Sequence, residues 1–129
     1  MTKEAVVTPS APGAVGPYSQ GVRAGGLVFA SGQVALDPDT GVLVPGGVEE
    51  QTHRVLANLK AVLEAGGSSL ELVVKATVYL IDIGDFDAMN RVYATYFEGV
   101  KPARVTVEVS KLPRNGRVEI DAIGVIAGR

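Results

Sequence analysis

Hydrophobic positions along this chain follow two periods, and the places where the period changes divide it into elements. From Val48 to Ala65 the residues Val48, Thr52, Val55, Leu56, Leu59, Val62 and Leu63 form one stripe at helical spacing. Glu49 and Glu50 sit in the first turn, where negative charge complements the helix dipole, and Gly66-Gly67 supplies the stop. A second helix is predicted over Phe86 to Glu98, with Phe86, Met89, Val92, Tyr93, Tyr96 and Phe97 on its buried side and Gly99 at its end. Between the helices, Ser68-Ser69-Leu70-Glu71 resembles a capping box for a single turn. Elsewhere the period is two, which is the period of strands. Ser19–Ala24 and Leu27–Ser31 flank Gly25-Gly26 and read as a hairpin, because such a turn needs positive φ. Gly32 interrupts the second strand, as a bulge or a close backbone approach would, and Val34 to Leu36 is read as its continuation. Val73 to Asp82 is a strand rich in β-branched residues, with Val74, Ala76, Val78 and Leu80 on its apolar face.

The segment from Pro102 to Asp121 holds two more alternating runs. In the first, Val105, Val107 and Val109 oppose Arg104, Thr106, Glu108 and Ser110. After a break at Leu112-Pro113-Arg114-Asn115-Gly116, Val118, Ile120 and Ala122 oppose Arg117, Glu119 and Asp121. The pair reads as a closing hairpin with one apolar face and one face carrying both Arg104 and Glu119. The order hairpin, helix, strand, helix, hairpin predicts a single α+β domain over residues 1–129, with five to six strands and both helices on one face of the sheet. The other face mixes polar groups with Tyr79, Ile81, Ile123 and Val125. A half-apolar face is rarely left to water, so self-association is expected. Residues 8–18 are crowded with Pro and Gly and form no regular element, yet Tyr18 runs straight into a strand and should be pinned.

Composition removes most chemistries. Twelve Lys and Arg face fourteen Asp and Glu, a net charge of −2, without the basic stripe that nucleic acid or a membrane surface requires. The chain has no cysteine, which excludes disulfides, thiolate nucleophiles and cysteine metal sites. His53 is the single histidine, so no metal site is expected and no serine has an imidazole base. No nucleotide-binding glycine motif is present. The first residues lack an apolar core of signal-peptide length, and a cytoplasmic location is expected. What remains is Arg104 at a strand start, Glu119 on the next strand, and Tyr18 with Ser31-Gly32 at the ends of others. Asn90, beside the apolar stripe of the second helix, is either a structural amide or a ligand contact. The pattern alone fits a solvated polar face as well as a site in which Arg104 holds an anion and Glu119 handles a proton or a water. Arginine binds carboxylate through two parallel hydrogen bonds, so the second reading points to a small anionic molecule.

Several short segments together resemble one family, the reactive intermediate deaminases (RidA, also called YjgF). They are Gly16-Pro17-Tyr18-Ser19-Gln20, Ser31-Gly32-Gln33, Glu50-Gln51-Thr52 with Asn58-Leu59, and Val74-Lys75-Ala76-Thr77-Val78. Asp85-Phe86 with Asn90 and Tyr93, Pro102-Ala103-Arg104, and Leu112-Pro113 followed by Val118-Glu119-Ile120 continue the match in order over nearly the whole chain. The resemblance implies a chorismate-mutase-like subunit assembling as a homotrimer, with sites in clefts between subunits. It implies hydrolysis of enamines and imines such as 2-aminoacrylate, 2-iminopropanoate and 2-iminobutanoate to 2-keto acids and ammonia, without a cofactor. On this resemblance Arg104 would clamp the substrate carboxylate, Glu119 would position the attacking water, and Tyr18 would be the motif tyrosine. Ser31, Gly32 and Asn90 match pocket-lining positions, and Thr106 stands where members often carry cysteine. Alternatives within the same family are a non-catalytic trimer that binds keto acids or a protein partner, and an RNA-cleaving translation inhibitor, against which the acidic charge balance argues.

Overall fold

The computed structural model describes residues 2–128 and places the apolar stripe of Val48–Ala65 on a helix, as its spacing requires. The elements run β1 (Glu4–Val6), β2 (Gly21–Ala24), β3 (Leu27–Gln33), α1 (Val48–Ala65), β4 (Val73–Leu80), α2 (Phe86–Ala94), β5 (Ala103–Glu108) and β6 (Val118–Val125). They form a six-stranded mixed sheet in the order β1-β2-β3-β6-β4-β5. Neighbours are antiparallel except β4 and β5, which run parallel and are joined through α2, the long crossover that a parallel pair needs. Val55, Leu56, Leu59, Val62 and Leu63 of α1 are fully buried, in one core with Val28 and Ala30 of β3, Ala76 and Val78 of β4, and Ile120 and Ala122 of β6.

Several boundaries differ from the sequence reading. α2 ends at Ala94, because the backbone N–H of Thr95 bonds the Val92 carbonyl at 3.0 Å and its hydroxyl donates to the same oxygen at 2.6 Å. Phe97 is still buried beyond that end, whereas Phe86, expected inside, is 37 % exposed. Ser69 makes no side-chain cap on the single turn Leu70–Leu72. β3 is not continued by Val34–Leu36; Leu36 instead bridges Leu43 across a turn. A register shift between Val73 and Lys75 turns Val73 into the core and leaves Val74 exposed. β1 forms on β2 without having been expected from the pattern.

The largest correction concerns the last two strands. β5 and β6 do not pair as a hairpin; each pairs with β4, on opposite sides of it. Ala76 lies opposite both Arg104 and Ala122, and Val78 lies opposite both Thr106 and Ile120. Arg104 and Thr106 therefore share the helix-covered face with the core residues of β6. Tyr79 lies opposite both Val107 and Glu119, so Val105, Val107, Glu119 and Asp121 share the outer face. Alternation told which residues of β5 lie together, but its apolar side is turned away from the helices. With Phe29 and Ile81, Val105 and Val107 belong to the large apolar side chains that remain exposed.

Candidate active site

On the outer face, the site is built around the bulge in β3. The pairing of β3 with β6 shifts between Ala30 and Gln33, which places Ser31 and Gly32 in the irregular segment. A Cβ on Gly32 would collide with the Glu119 carboxylate, so only glycine lets that carboxylate lie against the β3 backbone. The Ser31 hydroxyl donates to the Ser19 carbonyl at 2.6 Å, and its N–H bonds the Gln20 carbonyl at 3.0 Å. Ser31 thus ties the bulge to the chain that carries Tyr18, and its hydroxyl is already engaged. Tyr18 closes a tight turn through its N–H to the Gly16 carbonyl at 2.9 Å, and its phenol oxygen accepts from the Val15 N–H at 3.3 Å.

The irregular stretch before Tyr18 is held by a single buried side chain. The amide nitrogen of Gln20 donates to the carbonyls of Thr8, Ala11 and Pro12, at 3.0, 3.2 and 2.8 Å, while its oxygen accepts from the Thr8 N–H at 2.8 Å. Two buried polar residues of α1 fix the other walls. The Asn58 amide donates to the Leu36 carbonyl at 3.0 Å, and the Gln51 amide oxygen accepts from the Arg117 N–H at 2.8 Å. The result is a cavity of about 410 Å³ lined by Val15, Tyr18, Ser31, Gly32, Val34, Leu36, Pro113, Arg114 and Glu119. Gln20, Gln51, Asn58 and Arg114 were not singled out for this site by sequence reasoning. The available signal was a polar side chain inside an otherwise apolar stripe, as at Asn58, or at the start of a strand, as at Gln20.

The electrostatics single out Glu119. Burial pushes its carboxyl above the usual range, and the negative charge of Asp121, two residues along the same strand face, pushes it further. Asp121 accepts a hydrogen bond from the Tyr79 hydroxyl at 2.8 Å, which in turn raises the Tyr79 phenol. Glu119 is therefore poised to hold or release a proton nearer neutrality than an exposed carboxylate.

The remaining sequence candidates lie elsewhere. Arg104 is on the helix side of edge strand β5, with its guanidinium carbon 4.7 Å from the Tyr93 ring centre and 5.6 Å from that of Phe86. Asn90 lies between these two residues on α2 and is half-buried. The Thr106 hydroxyl and the Tyr93 phenol oxygen are both buried without a hydrogen-bond partner among the described residues. Burial raises the Tyr93 phenol, and the Arg104 charge partly offsets this. So the structure brings Tyr18, Ser31, Gly32 and Glu119 together, and separately places Arg104 and Thr106 with α2. The shared face expected for Arg104 and Glu119 does not exist within one chain, because β5 and β6 flank β4 with opposite parity.

Residues 8–126 match the family model described as Endoribonuclease L-PSP. The chain is 52 % identical over 123 residues to a RutC family protein of Pyrococcus abyssi, covering 95 % of this chain and 97 % of that one. The chain belongs to the Endoribonuclease L-PSP (RidA/YjgF) family. Within it, the 2-iminobutanoate/2-iminopropanoate deaminase of Mus musculus is 49 % identical over 125 residues, 97 % of this chain and 93 % of that one. Among solved structures, E. coli TdcF with bound serine superposes with a TM-score of 0.91, at 39 % identity over 96 % of this chain and 99 % of that one. The two clusters described above thus belong to a RidA/YjgF fold. Among the described residues, no helix is long and apolar enough to cross a membrane.

Proposed function

We propose that this protein is a hydrolytic deaminase of small 2-imino acids and their enamine tautomers, such as 2-aminoacrylate, 2-iminopropanoate and 2-iminobutanoate. The observation that carries the reading is the Glu119 carboxylate, half-buried against Gly32 beside Tyr18, with its proton affinity raised. The deaminase name of the murine relative and the serine held by TdcF support an amino-acid-like ligand. The site is completed between copies of the chain. Edge strand β5 leaves Val105 and Val107 exposed on the outer face, and a second copy covering that face brings its Arg104 toward the first copy's Glu119 cavity. Such a contact joins two different patches, and a rotation that closes after three copies gives a homotrimer.

In this reading Arg104 of the neighbouring copy clamps the substrate carboxylate through two parallel hydrogen bonds. Glu119 orients a water toward C2 and accepts its proton as the C–O bond forms. The nitrogen of the resulting carbinolamine takes that proton back from Glu119 and leaves as ammonia with the electrons of the C–N bond, while the hydroxyl gives its proton to the Glu119 carboxylate and C2 becomes the carbonyl of the 2-keto acid. The imine carbon is already electrophilic, so positioning is the main task, and well-oriented reactants gain about 7–11 kcal/mol at most from it. No metal or cofactor has a part in this scheme.

The test is coupled deamination. 2-Aminoacrylate generated by a serine dehydratase is converted to pyruvate with and without this protein. Wild type should accelerate the reaction. Arg104→Ala should lose roughly 10- to 150-fold in kcat/KM, the equivalent of a charge-assisted hydrogen bond of about 1.5–3 kcal/mol. A correctly assembled wild type that accelerates no imine would remove the deaminase reading and leave a binding protein.

A further inference from the structure

We propose that Arg114 is a second anion-binding residue, which fits this protein to 2-imino acids carrying a carboxylate on the side chain. The inference rests on the deaminase reading and names a substrate class for it. Beside the Glu119 cavity lies a smaller one of about 230 Å³. The two share Val15, Tyr18, Gly32, Val34, Leu36 and Arg114 as walls, so they are lobes of one space. Glu119 lines only the larger lobe, where the reacting carbon would sit. The smaller lobe extends away from it between three loops.

Two of those loops are locked. Gln20 pins the one carrying Pro12 and Val15. Asp37 pins the other: its carboxylate accepts from the N–H groups of Asp39 and Thr40 at 2.8 and 3.2 Å, and its carbonyl accepts from Gly41 at 2.8 Å. The third loop presents Arg114. Its backbone sits at φ 59°, in the left-handed region, and so does that of Asn115; every other described residue with positive φ is a glycine. A long cationic side chain there carries backbone strain that glycine would remove, which points from the outlier to a use for the side chain.

The charge of Arg114 is also unanswered. Among the described residues its side chain makes one hydrogen bond, a long one from Nη1 to the Gly41 carbonyl at 3.4 Å, and no ion pair. It is the only cationic side chain among the residues lining either lobe. Asp37 is committed to its own turn, and the lobe's other polar side chains are uncharged: the engaged amide of Gln20, the Gln33 amide and the Tyr18 phenol. An unpaired guanidinium at the rim of a largely apolar, preformed lobe suits a carboxylate that arrives with the ligand. With the 2-carboxylate held by the neighbouring copy's Arg104, the second carboxylate of a four- or five-carbon imino dicarboxylate would reach Arg114. The reaction is otherwise unchanged: water adds at C2, ammonia leaves, and a 2-oxo dicarboxylate forms.

The experiment compares wild type, Arg114→Gln and Arg114→Gly in two ways. Calorimetric titration with 2-oxoglutarate and 2-oxobutanoate, stable analogues of the two substrate classes, reads binding without turnover. In parallel, kcat/KM is measured for 2-iminoglutarate and 2-iminobutanoate generated in place by an amino-acid oxidase. The expected result is that both variants cut the preference for the dicarboxylate by tenfold or more: the dicarboxylate-to-monocarboxylate ratio rises in Kd and falls in kcat/KM. Arg114→Gly relieves the left-handed strain, so a loss shared with Arg114→Gln is not a folding defect. Ratios within twofold of wild type, or a wild type that does not bind 2-oxoglutarate, would overturn the proposal while turnover of 2-iminobutanoate upheld the deaminase reading. A shifted binding ratio with no turnover of any imine would keep the Arg114 site and remove the deaminase reading.

Discussion

Glu119 is the residue whose surroundings say most about chemistry. Its carboxyl is raised by burial first and by Asp121 second, so it holds its proton more tightly in the folded chain than in the unfolded one. A carboxyl shifted in this direction favours the fold while protonated, and that contribution is lost as pH rises from the unfolded value through the raised folded one. Glu119→Gln should therefore raise the thermal midpoint at pH 7, with the gain shrinking as the pH is lowered through the carboxyl range, while abolishing deamination. A midpoint gain that does not depend on pH would contradict the assignment. Used as a base, Glu119 also sets the acid limb of kcat/KM. Asp121→Asn removes a negative neighbour and should move that limb to lower pH, which a pH–rate profile reads directly.

At the scale of elements, α1 does more than cover the sheet. Its buried Gln51 and Asn58 reach loops on either side of the cavity and satisfy backbone groups that the loops cannot satisfy themselves. Asn58→Ala leaves the Leu36 carbonyl without its donor and should cost about 1–3 kcal/mol in denaturant unfolding. Lys60→Ala, at an exposed position of the same helix, should stay within about 0.5 kcal/mol. The Asn58 variant should also raise KM, because Val34 and Leu36 line the cavity. α1 was legible in the sequence from end to end, since one face of a long helix repeats the same packing requirement for five turns. α2 was legible at its start but overrun at its end: the stripe continues through Tyr96 and Phe97, while the hydroxyl and N–H of Thr95 close the helix early.

For the whole molecule, the decisive fact is that the Arg104 and Glu119 clusters lie on opposite faces of one sheet. If the site is shared between copies, two variants that are each inactive should complement one another. Mixing Arg104→Ala with Glu119→Gln after co-refolding should restore activity at about a quarter of the interfaces, those pairing an intact Glu119 with an intact Arg104 from its neighbour. No recovery, with mixed oligomers demonstrated by mass, would place both residues' function within one subunit and so contradict the geometry. In the proposed oligomer the outer face would supply the driving force, since Phe29, Val105 and Val107 are 41 %, 44 % and 37 % exposed in the single chain.

Periodicity and side-chain chemistry were enough to read the two helices, most strand cores, the interruption at Gly32 and the residue types able to hold an anion and move a proton. These are local properties, written in periodicity and in the chemistry of single side chains. The partners of β5 and β6 emerge from the folded chain alone, because alternation says which residues share a face and nothing about which neighbour that face will meet. Ordering the strands β3-β6-β4-β5 put Arg104 under the helices and Glu119 on the outer surface. The same ordering brought Tyr18, Ser31, Gly32 and Arg114, distant in sequence, around Glu119 in one cavity. That convergence depends on long-range register and on loops pinned by Gln20, Asn58 and Gln51, none of which a reading of neighbouring residues could supply.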